Sequence, residues 1–477
     1  MRNEVIIAGG GIAGLAAAVA LTDAGYRVRV VEAGRMPGGR ALSLHDETRG
    51  DAVDIGPHVL TSEHRSMLAL LGRLGTAREI DWQPQRFITL VDDGEAIPMK
   101  NHALPAPLHF LPNFLRVRKL AASDILSARR TLYRVMRMNE ADVLAMDDRD
   151  AESVLRGLGV SENFIDWFWR TVCMAIMNVP LEECSAGSLM RFLWMMSARG
   201  DFHFGFPRIP LGELFVPMAT KLIERGGGSV VTGVAVLAVQ CSGRGVQSVA
   251  LSDGQTIETR RCVLALPPQA LQGLLPAFVE QDYQLDRFRT SPYISTWLWF
   301  DRRFTEEKFW ARIWSPDNLN YDFYEFANFR REPLSTPSLI GSNIIYSDRA
   351  AQLDDEAIIA RTREELAEFA PASRAARLVH ARVHRISMAI CAPHPGFEAR
   401  RPEVRTRVPG LYLAGDWLRT ELPSSMESAV RSAYLAVEAL AADDALTVRA
   451  ALPRREPRGI SALLAREKAA PRSSPRS

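Results

Sequence analysis

The feature that most constrains the fold is a glycine-rich turn within the first 33 residues. Residues 4–33 read EVIIAGGGIAGLAAAVALTDAGYRVRVVEA. They predict a buried strand, a turn with Gly9, Gly11 and Gly14 in G-x-G-x-x-G spacing, a helix closed by Gly25, and a second strand. The N-terminus of such a helix directs free N–H groups and a partial positive charge at phosphate. The pattern therefore predicts a parallel α/β sheet that binds a dinucleotide.

An acidic residue at the end of the second predicted strand supports this interpretation. Glu32 follows Gly14 by 18 residues, which is where a ribose-binding carboxylate is expected. No arginine adjoins it, so a free 2′-hydroxyl is favoured over a 2′-phosphate. A second G-x-G-x-x-G between a strand and a helix is absent from the sequence. Bound NAD(P)H is therefore not expected as an internal hydride source.

A second pair of glycines indicates which dinucleotide is bound. Gly38-Gly39-Arg40 follows Glu32 closely, and the forked donors of an arginine suit a pyrophosphate. This segment resembles the GGR motif of the FAD-dependent amine oxidase and phytoene desaturase superfamily. DIGPHVL at residues 54–60 resembles the next element of that family, which implies that it runs under the flavin ring. A single histidine such as His58 is more often structural than catalytic, so the residues leave its role open.

The stretch LYLAGDWLRTELPSSMESAVRSA, residues 411–433, completes the resemblance near the C-terminus. It predicts a short strand, a Gly415-Asp416 break, and a helix whose start is set by Pro423 and capped by serine. The resemblance implies that this strand returns to the N-terminal sheet and presents Asp416 to the flavin. Together the motifs and the resemblance predict contacts with FAD at Gly9, Gly11, Ile12, Ala13, Gly14, Glu32, Ala33, Gly38, Gly39, Arg40, Gly56, Pro57, His58, Val234, Gly415, Asp416, Ser425, Met426 and Val430.

The middle of the chain predicts a discontinuous arrangement of domains. Residues 228–267 contain short β-type runs separated by glycine turns, and the last run looks like a strand rejoining the nucleotide domain. The predicted fold is α/β, with a Rossmann-type FAD-binding domain interrupted by an α+β substrate domain. The expected boundaries are 1–80, 220–285 and 396–448 for the FAD-binding domain, 81–219 and 286–395 for the substrate domain, and 449–477 for a basic tail.

The first insertion carries the more specific signals. LPAPLHFLPNFL is followed by the cations Arg116, Arg118 and Lys119, a pattern that suits contact with a bilayer surface through residues 102–120. A buried helix with a solvated end fits the composition equally well. The segment resembles the LPAPL region of plant-type phytoene desaturases and of squalene-associated FAD-dependent desaturases, whose best defined activity is hydroxysqualene dehydroxylation. NVPLE at residues 178–182 and the Arg191-Phe192 pair extend the resemblance.

The resemblance implies an FAD-dependent oxidoreductase that acts on a long, water-insoluble isoprenoid. Hydride would pass to or from flavin N5, either in phytoene-type desaturation or in dehydroxylation of hydroxysqualene. Dehydroxylation would need an acid near the leaving oxygen, and His58 and Arg191 are the candidates. A structural ion pair is an equal alternative for Arg191, which is the only charge in an apolar helix. A quinone, a carrier protein or oxygen would exchange electrons with the flavin.

Two other functions stay open at this point. A flavin amine oxidase would place an aromatic pair against the flavin, and Trp417 could supply half of it. A non-catalytic prenyl-binding relative of the same fold is also possible, although the intact glycine motifs, Glu32 and Arg40 argue against it. YISTWLWFDRRF and the NYDFYEF segment depart from the usual sequence of the squalene-associated group, as does Pro57, where a polar residue is expected. The exact substrate is therefore open.

Composition adds bounds on location and partners. The net charge is +2, so the charge does not indicate binding to nucleic acid. The tail from Arg449 has eight Lys/Arg and two Glu, and we expect it to be mostly disordered, with attraction to anionic lipid as a further possibility. The five cysteines show no metal spacing, so no metal site is predicted and reduced thiols are expected. With no signal-peptide pattern and no long apolar run, we expect a cytoplasmic protein, with a peripheral position on the inner face of the cytoplasmic membrane as the alternative.

Overall fold

The computed structural model describes residues 4–84 and 86–466. The chain divides into two compact units. The first comprises the residues up to Trp82, Phe204–Ala392 and Arg400–Leu452, and the second comprises Gln83–His203, Pro393–Ala399 and the residues from Pro453 onward. Residues 204–219 and 286–392, which the sequence assigned to the substrate domain, thus cluster with the nucleotide-binding part. The expected functional division therefore does not follow the compact units.

A five-stranded parallel sheet forms the centre of the first unit. Its strands, in spatial order, are Ser229–Thr232, Val28–Glu32, Val5–Ala8, Cys262–Leu264 and Leu411–Leu413. The helix Ile12–Asp23, called the first helix below, packs against Val216–Arg225 and against Met426–Asp443, called the C-terminal helix. Strand, glycine turn and helix confirm the N-terminal prediction. The predicted return of the strand at residue 411 to this sheet is confirmed as well.

A second sheet of the same unit is antiparallel. The strands that the first unit contributes to it are, in spatial order, Leu378–Cys391, Thr290–Phe300, Ser338–Ile345, Asp322–Glu325 and Phe309–Arg312. The register sets Asp322 opposite Asn343, Asn343 opposite Ser295, and Ser295 opposite His384. Directly opposed residues in an antiparallel sheet point to the same face. These four residues therefore form a continuous line across the sheet, called the polar row below.

The other elements of the first unit are smaller. Val236–Ser242, Gly245–Leu251 and Thr256–Glu258 form the predicted meander. Ser43–His45 pairs with Ala52–Asp54, and Leu60–Thr61 pairs with Phe204–Pro207. The remaining described strand is Ile80–Gln83, and the remaining described α-helices are Arg65–Leu74, Pro268–Leu271, Ala277–Glu280 and Asp355–Phe369.

The second unit is mainly helical. Its hairpin pairs Arg86–Asp92 with Glu95–Lys100. Its α-helices are Leu111–Phe114, Ala122–Ser127, Arg129–Met136, Glu140–Leu144, Ala151–Gly157, Glu162–Phe164, Arg170–Met177, Ala186–Ser197, Phe397–Arg400 and Ile460–Leu464, and Ile165–Trp169 is a π-helical turn. The apolar helix Ala186–Ser197 is almost entirely buried, as its sequence predicts. Of the described residues, none belongs to a helix that is both long and apolar enough to cross a bilayer.

The beginning of the basic tail, up to residue 466, makes specific contacts with the second unit, to which it belongs from Pro453 onward. The guanidinium of Arg454 lies 4.1 Å from the ring centroid of Trp194, and Arg455 pairs with Asp201. The Ser461 N–H donates to the Ala106 carbonyl over 3.1 Å. Cation–π, ionic and backbone contacts therefore offset the entropy that composition alone would leave uncompensated. Residues 467–477, the rest of the predicted disordered tail, lie outside the described residues.

Candidate functional site

The glycines of the first turn do different work. A Cβ on Gly9, whose φ is +100°, would lie 2.5 Å from the Ala265 carbonyl oxygen, and a Cβ on Gly14 would lie 1.9 Å from the Gly9 oxygen. Packing within the chain therefore requires both glycines. A Cβ on Gly11 would meet nothing closer than the Gly39 Cα at 3.8 Å. The protein itself does not need glycine at position 11, so its bare backbone is available to a ligand.

The start of the first helix adds donors to this turn. The first bond of the helix runs from the Leu15 N–H to the Gly11 carbonyl over 2.9 Å. The N–H groups of Ile12, Ala13 and Gly14 precede that bond and belong to the set that a helix leaves unpaired at its N-terminus. They form a natural binding site for an anion. The predicted contacts Gly11, Ile12 and Ala13 thus lie together.

Glu32 links the turn to the end of its strand. One carboxylate oxygen accepts the Gly10 N–H over 2.6 Å, and the other accepts the Gly34 N–H over 2.7 Å. The Val234 N–H donates to the Glu32 carbonyl over 3.1 Å. Glu32, Ala33 and Val234, three predicted contacts that come from two distant segments, are therefore neighbours at one edge of the parallel sheet.

Arg40 and Asp416, predicted separately, form a two-pronged ion pair. The Gly38 N–H donates to the Gly10 carbonyl over 2.9 Å and brings the second glycine segment to the first. The Arg40 guanidinium nitrogens then lie 2.5 and 3.2 Å from the two Asp416 carboxylate oxygens. The Asp416 side chain is 6% exposed and the Arg40 side chain 40% exposed. The pair joins the two glycine segments of the N-terminus to the C-terminal Gly-Asp turn.

The turn after Gly415 is organised by Arg401, a residue that sequence reasoning missed. Its buried guanidinium donates to the carbonyls of Leu418 at 2.7 Å, Leu422 at 2.6 Å and Asp416 at 3.1 Å. It also donates to the hydroxyl of Thr420 at 3.1 Å. One side chain thereby fixes a loop that has no regular hydrogen-bond ladder of its own. The only sequence signal was a basic residue upstream of a strand, which has no specific meaning.

The C-terminal helix begins as predicted. Ser425 is its N-cap, and its hydroxyl accepts the Ser428 N–H over 3.2 Å. Met426 opens the helix, and Val430 is fully buried in its second turn. The buried Glu427 carboxylate accepts the Ser66 and Met67 N–H groups, each over 2.9 Å, at the start of the helix Arg65–Leu74. Burial raises the pKa of Glu427 to about 7.

The segment 55–58 lies on the polar row of the antiparallel sheet. His384 Nδ1 donates to the Ile55 carbonyl over 3.2 Å, and Asn343 Nδ2 donates to the Pro57 carbonyl over 3.4 Å. A Cβ on Gly56 would lie 2.7 Å from the Ser295 hydroxyl oxygen. Gly56 is therefore required for the close approach of this segment to the sheet.

His58 is held in one tautomer. Its Nδ1 lies 2.6 Å from the Gly56 carbonyl oxygen, which can only accept, so Nδ1 carries the proton. Burial lowers the pKa of His58, and the nearby Arg40 charge acts in the same direction. The ring is therefore neutral near pH 7, and Nε2 is a proton acceptor. In this state Nε2 accepts a proton and cannot donate one, which favours another group as the acid near a leaving oxygen.

Arg191, in the second unit, has carboxylate partners that explain its burial. Its side chain is 1% exposed and pairs with both Glu140 and Glu398. Glu398 also accepts a hydrogen bond from the Ser188 hydroxyl over 2.7 Å. Two carboxylates compensate one buried cation, which favours the structural alternative for Arg191.

Trp417 is a core residue of the first unit. It is fully buried, and its indole N–H donates to the Leu266 carbonyl over 3.0 Å. Its ring meets Phe288 edge-on at 5.1 Å between centroids. Both the polar and the apolar parts of this side chain are thus occupied by the protein. The arrangement does not support a role as half of an aromatic pair against a flavin.

The first unit contains what an FAD molecule needs. An open glycine backbone and helical N–H groups suit a pyrophosphate, Glu32 suits a ribose, and the half-exposed Arg40 offers its forked donors. The serine-capped C-terminal helix provides a second positive dipole end. These residues come from both ends of the chain and would hold the cofactor from two sides.

Comparison with known proteins agrees with this geometry. The family model described as flavin containing amine oxidoreductase matches residues 12–441. The 15-cis-phytoene desaturase of Solanum lycopersicum is 26% identical over 469 residues, covering 93% of this chain and 79% of the relative. The hydroxysqualene dehydroxylase of Zymomonas mobilis is 26% identical over 451 residues, covering 91% and 97%. Cyclohexylamine oxidase from Brevibacterium oxydans has a similar structure, with a TM-score of 0.65, 18% identity and coverage of 93% and 100%.

The family match spans most of the chain. It begins at the first helix and ends two residues before the end of the C-terminal helix, so it contains most of the residues of the cofactor site. The glycine turn before it and Glu32 within it keep the residue types that FAD binding requires. The chain therefore belongs to the flavin-containing amine oxidoreductase family and is an FAD-dependent oxidoreductase.

Proposed function

We propose that this enzyme transforms a long isoprenoid lipid, by desaturation of a phytoene-type chain or by dehydroxylation of hydroxysqualene. The observation that carries the proposal is the match over more than nine-tenths of the chain to both a phytoene desaturase and a hydroxysqualene dehydroxylase. The two relatives are named for long isoprenoids, which form one substrate class. Their reactions differ in the direction of hydride transfer. The proposal concerns that shared class first.

Bound FAD would supply the site that accepts or donates hydride. The protein's part is to hold the cofactor and to manage protons and water. His58 belongs to the segment that lies on the polar row, and its Nε2 has the right protonation to take up a proton when a C–H bond is desaturated. Arg191 has a positioning role in this scheme, through the helix it anchors to two carboxylates.

The partners of the reaction follow from its chemistry. Electrons would enter or leave through a quinone, a carrier protein or oxygen. The membrane would provide the lipid, and segment 102–120 offers exposed Leu104, Leu108 and Leu115 for contact with it. Arg118 and Lys119 in this segment pair with acidic residues of the neighbouring hairpin. Apolar contact is therefore the larger expected contribution, on the cytoplasmic face of the membrane.

The amine oxidase alternative has less support within the site. It relied on Trp417, whose indole N–H and ring are both engaged in the core. The prenyl-binding alternative without FAD is inconsistent with the cofactor-binding residues described above.

The decisive experiment is anaerobic incubation of the FAD-loaded enzyme with three compounds in detergent or liposomes. Phytoene and a simple amine are added to the oxidised enzyme, and hydroxysqualene is added to the reduced enzyme. We expect bleaching by phytoene or reoxidation by hydroxysqualene, followed at the flavin absorbance maximum, with product identified by mass spectrometry. Bleaching by the amine alone would refute the proposal.

The proton-handling role of His58 is tested by His58→Gln and His58→Ala, with Arg191→Ala prepared in parallel. We expect the His58 variants to retain FAD but to lose about 10²-fold or more in the rate of hydride transfer, the usual contribution of a positioned acid or base. If both His58→Ala and Arg191→Ala kept full turnover with FAD bound, neither residue would contribute to the reaction.

A further inference from the structure

The strand Asp322–Glu325 belongs to the NYDFYEF segment, which departs from the family pattern. Its first residue, Asp322, is a buried acid without a cationic partner among the described residues. Asp322 is buried and accepts the Tyr324 hydroxyl over 3.1 Å and the Asn343 N–H over 3.2 Å. In the described part of the chain, no Lys, Arg or His forms an ion pair with it. Asp54, another buried acid of this unit, pairs with Arg330. Glu325 and Glu427 resemble Asp322, because hydrogen-bond donors hold their carboxylates.

The surroundings of Asp322 keep a proton on it. The titratable groups that face it are Tyr293 from the strand Thr290–Phe300, which lies two strands away in the sheet, and Tyr321 and Tyr324 from its own segment. Burial raises the pKa of all three tyrosines, so none brings a charge near neutrality. Burial likewise raises the pKa of Asp322 to about 7. Near pH 7 a substantial fraction of Asp322 is therefore the neutral carboxylic acid, which can donate its proton.

The position of Asp322 connects it to the candidate site. It begins the polar row, whose next members Asn343, Ser295 and His384 contact segment 55–57. Tyr324 and Tyr293, each two residues along their strands from a member of the row, lie on the same face of the sheet. Aromatic rings surround this group, with Phe309 4.7 Å from the Tyr324 ring. An apolar face with a few convergent polar groups is the usual form of a binding site for an apolar molecule with one oxygen.

We propose that Asp322 donates a proton to the hydroxyl oxygen of an allylic isoprenoid alcohol. The Tyr324 hydroxyl, whose own proton is donated to Asp322, accepts a hydrogen bond from the O–H group of that alcohol. The inference rests on the proposed function and selects its reductive direction. The allylic carbon receives a hydride from the reduced cofactor as its C–O bond breaks. The departing oxygen takes the Asp322 proton and leaves as water, and Asp322 is then reprotonated from solvent. His58 is excluded from this step because its Nε2 accepts and its Nδ1 proton is held by Gly56.

The test uses the FAD-loaded full chain and the variants Asp322→Asn and Tyr324→Phe. Glu325→Gln is the matched control, because Glu325 is a buried acid of the same strand whose carboxylate is fully used by Ser338, Leu339 and Ala327. Reduced enzyme is mixed anaerobically with hydroxysqualene between pH 5 and 9. Flavin reoxidation is followed by stopped flow, and binding of the alcohol to oxidised enzyme is measured separately from the shift of the flavin spectrum.

We expect the wild-type rate to fall as the pH rises through about 7. Asp322→Asn should be at least about 10²-fold slower, with no such fall, while it binds the alcohol about as tightly as wild type. Tyr324→Phe should bind the alcohol about fivefold more weakly, the usual loss for one hydrogen bond. Glu325→Gln should match wild type in rate and pH profile. If Asp322→Asn does not fold, the wild-type pH profile and the affinity of Tyr324→Phe for the alcohol still test the inference. A wild-type rate that does not fall as the pH rises, together with wild-type affinity in Tyr324→Phe, would overturn it.

A wild-type rate and pH profile in Asp322→Asn would overturn the inference. If the wild-type enzyme does not react with hydroxysqualene but phytoene bleaches its flavin, the inference is also overturned, whereas the proposed function is not. Failure of the wild type with both isoprenoids would refute the proposed function itself.

Discussion

Two arginine–carboxylate clusters, one in each compact unit, show how similar sequence signals can have different uses. In the first unit Arg40 pairs with Asp416, and in the second Arg191 pairs with Glu140 and Glu398. The sequence predicted a pyrophosphate contact for Arg40, and for Arg191 either an acid near the leaving oxygen or a structural ion pair. Their exposure separates them, since Arg40 is 40% exposed and Arg191 is 1% exposed.

The difference in exposure and pairing indicates which of the two arginines can bind a ligand. Arg191 is enclosed by two carboxylates, so its charge is neutralised within the protein. Arg40 shares one buried carboxylate, also donates to the Ala389 carbonyl over 3.2 Å, and keeps 40% of its side chain exposed. It lies close in sequence to Gly39, whose Cα is the nearest atom to a Cβ on the open Gly11. An arginine that is both oriented and incompletely paired suits a phosphate, whereas a closed cluster suits structural cohesion.

The largest effect is expected from Arg191→Ala. Removing the cation leaves the buried Glu398 and the partly exposed Glu140 uncompensated. We therefore expect a loss of about 3 kcal/mol in the free energy of unfolding of the second unit. Chemical denaturation followed by tryptophan fluorescence measures it. Arg156→Ala, which removes an exposed arginine paired with acids in the same unit, is the control and should change stability little. Normal stability of Arg191→Ala would show that the closed cluster is not structural.

The next effect contrasts two glycines of the first turn. We expect Gly14→Ala to impair folding, because its Cβ would lie 1.9 Å from the Gly9 oxygen. Gly11→Ala should fold normally, because its Cβ meets nothing within 3.4 Å, but it should weaken FAD binding at least about tenfold, or 1.4 kcal/mol. Thermal unfolding of the apoprotein and FAD titration separate the two. Unchanged FAD affinity in Gly11→Ala would contradict the assignment of the open backbone to the cofactor.

A smaller effect is expected from Asp416→Asn. It removes the charge that orients Arg40 but keeps the size of the side chain, so FAD should bind about tenfold more weakly, in line with the roughly 1.5–3 kcal/mol of a charged hydrogen bond. Arg40→Lys should behave similarly because it loses the fork. FAD titration by fluorescence quenching measures both. Tighter binding in Asp416→Asn would mean that Asp416 competes with the cofactor for Arg40.

The smallest effect concerns pH and Glu427. Its pKa of about 7 in the folded protein lies above the ordinary 4.5, so folding favours the protonated form. Its contribution to stability is therefore complete below about pH 4.5 and is lost as the pH rises through about 7. Glu427→Gln should flatten this part of the stability profile, raising its free energy of unfolding relative to wild type from pH 5 to pH 8. Parallel denaturation profiles would contradict the assignment.

Much of the cofactor site could be predicted because its signals are local. The glycine spacing, Glu32, the Gly-Gly-Arg segment and the serine cap each depend on backbone geometry within a few residues. The meander and the return of the strand at residue 411 followed from turn spacing and the family layout. Arg401 could not be predicted, because its role lies in hydrogen bonds to carbonyls of a later loop, and carbonyls carry no sequence signal.

The contacts of the tail and the proposed role of Asp322 could not be predicted from the sequence, for a related reason. Composition indicated disorder from Arg449, but Trp194 and Asp201, far away in sequence, provide specific partners for Arg454 and Arg455. Asp322 had no motif around it. Only strand register sets it beside Asn343 and on the same face as the residues that contact segment 55–57.

The sequence by itself determined the chain's family, its cofactor and the residues of the glycine turns, because these depend on short-range geometry that few residue types satisfy. Tertiary structure alone decided which charges are paired, which tautomer His58 adopts and where a buried acid keeps its proton. Those properties depend on burial and on partners hundreds of residues apart, as in the pairing of Arg40 with Asp416. Electrostatic free energies vary steeply with distance and solvent access, and only the folded chain defines both.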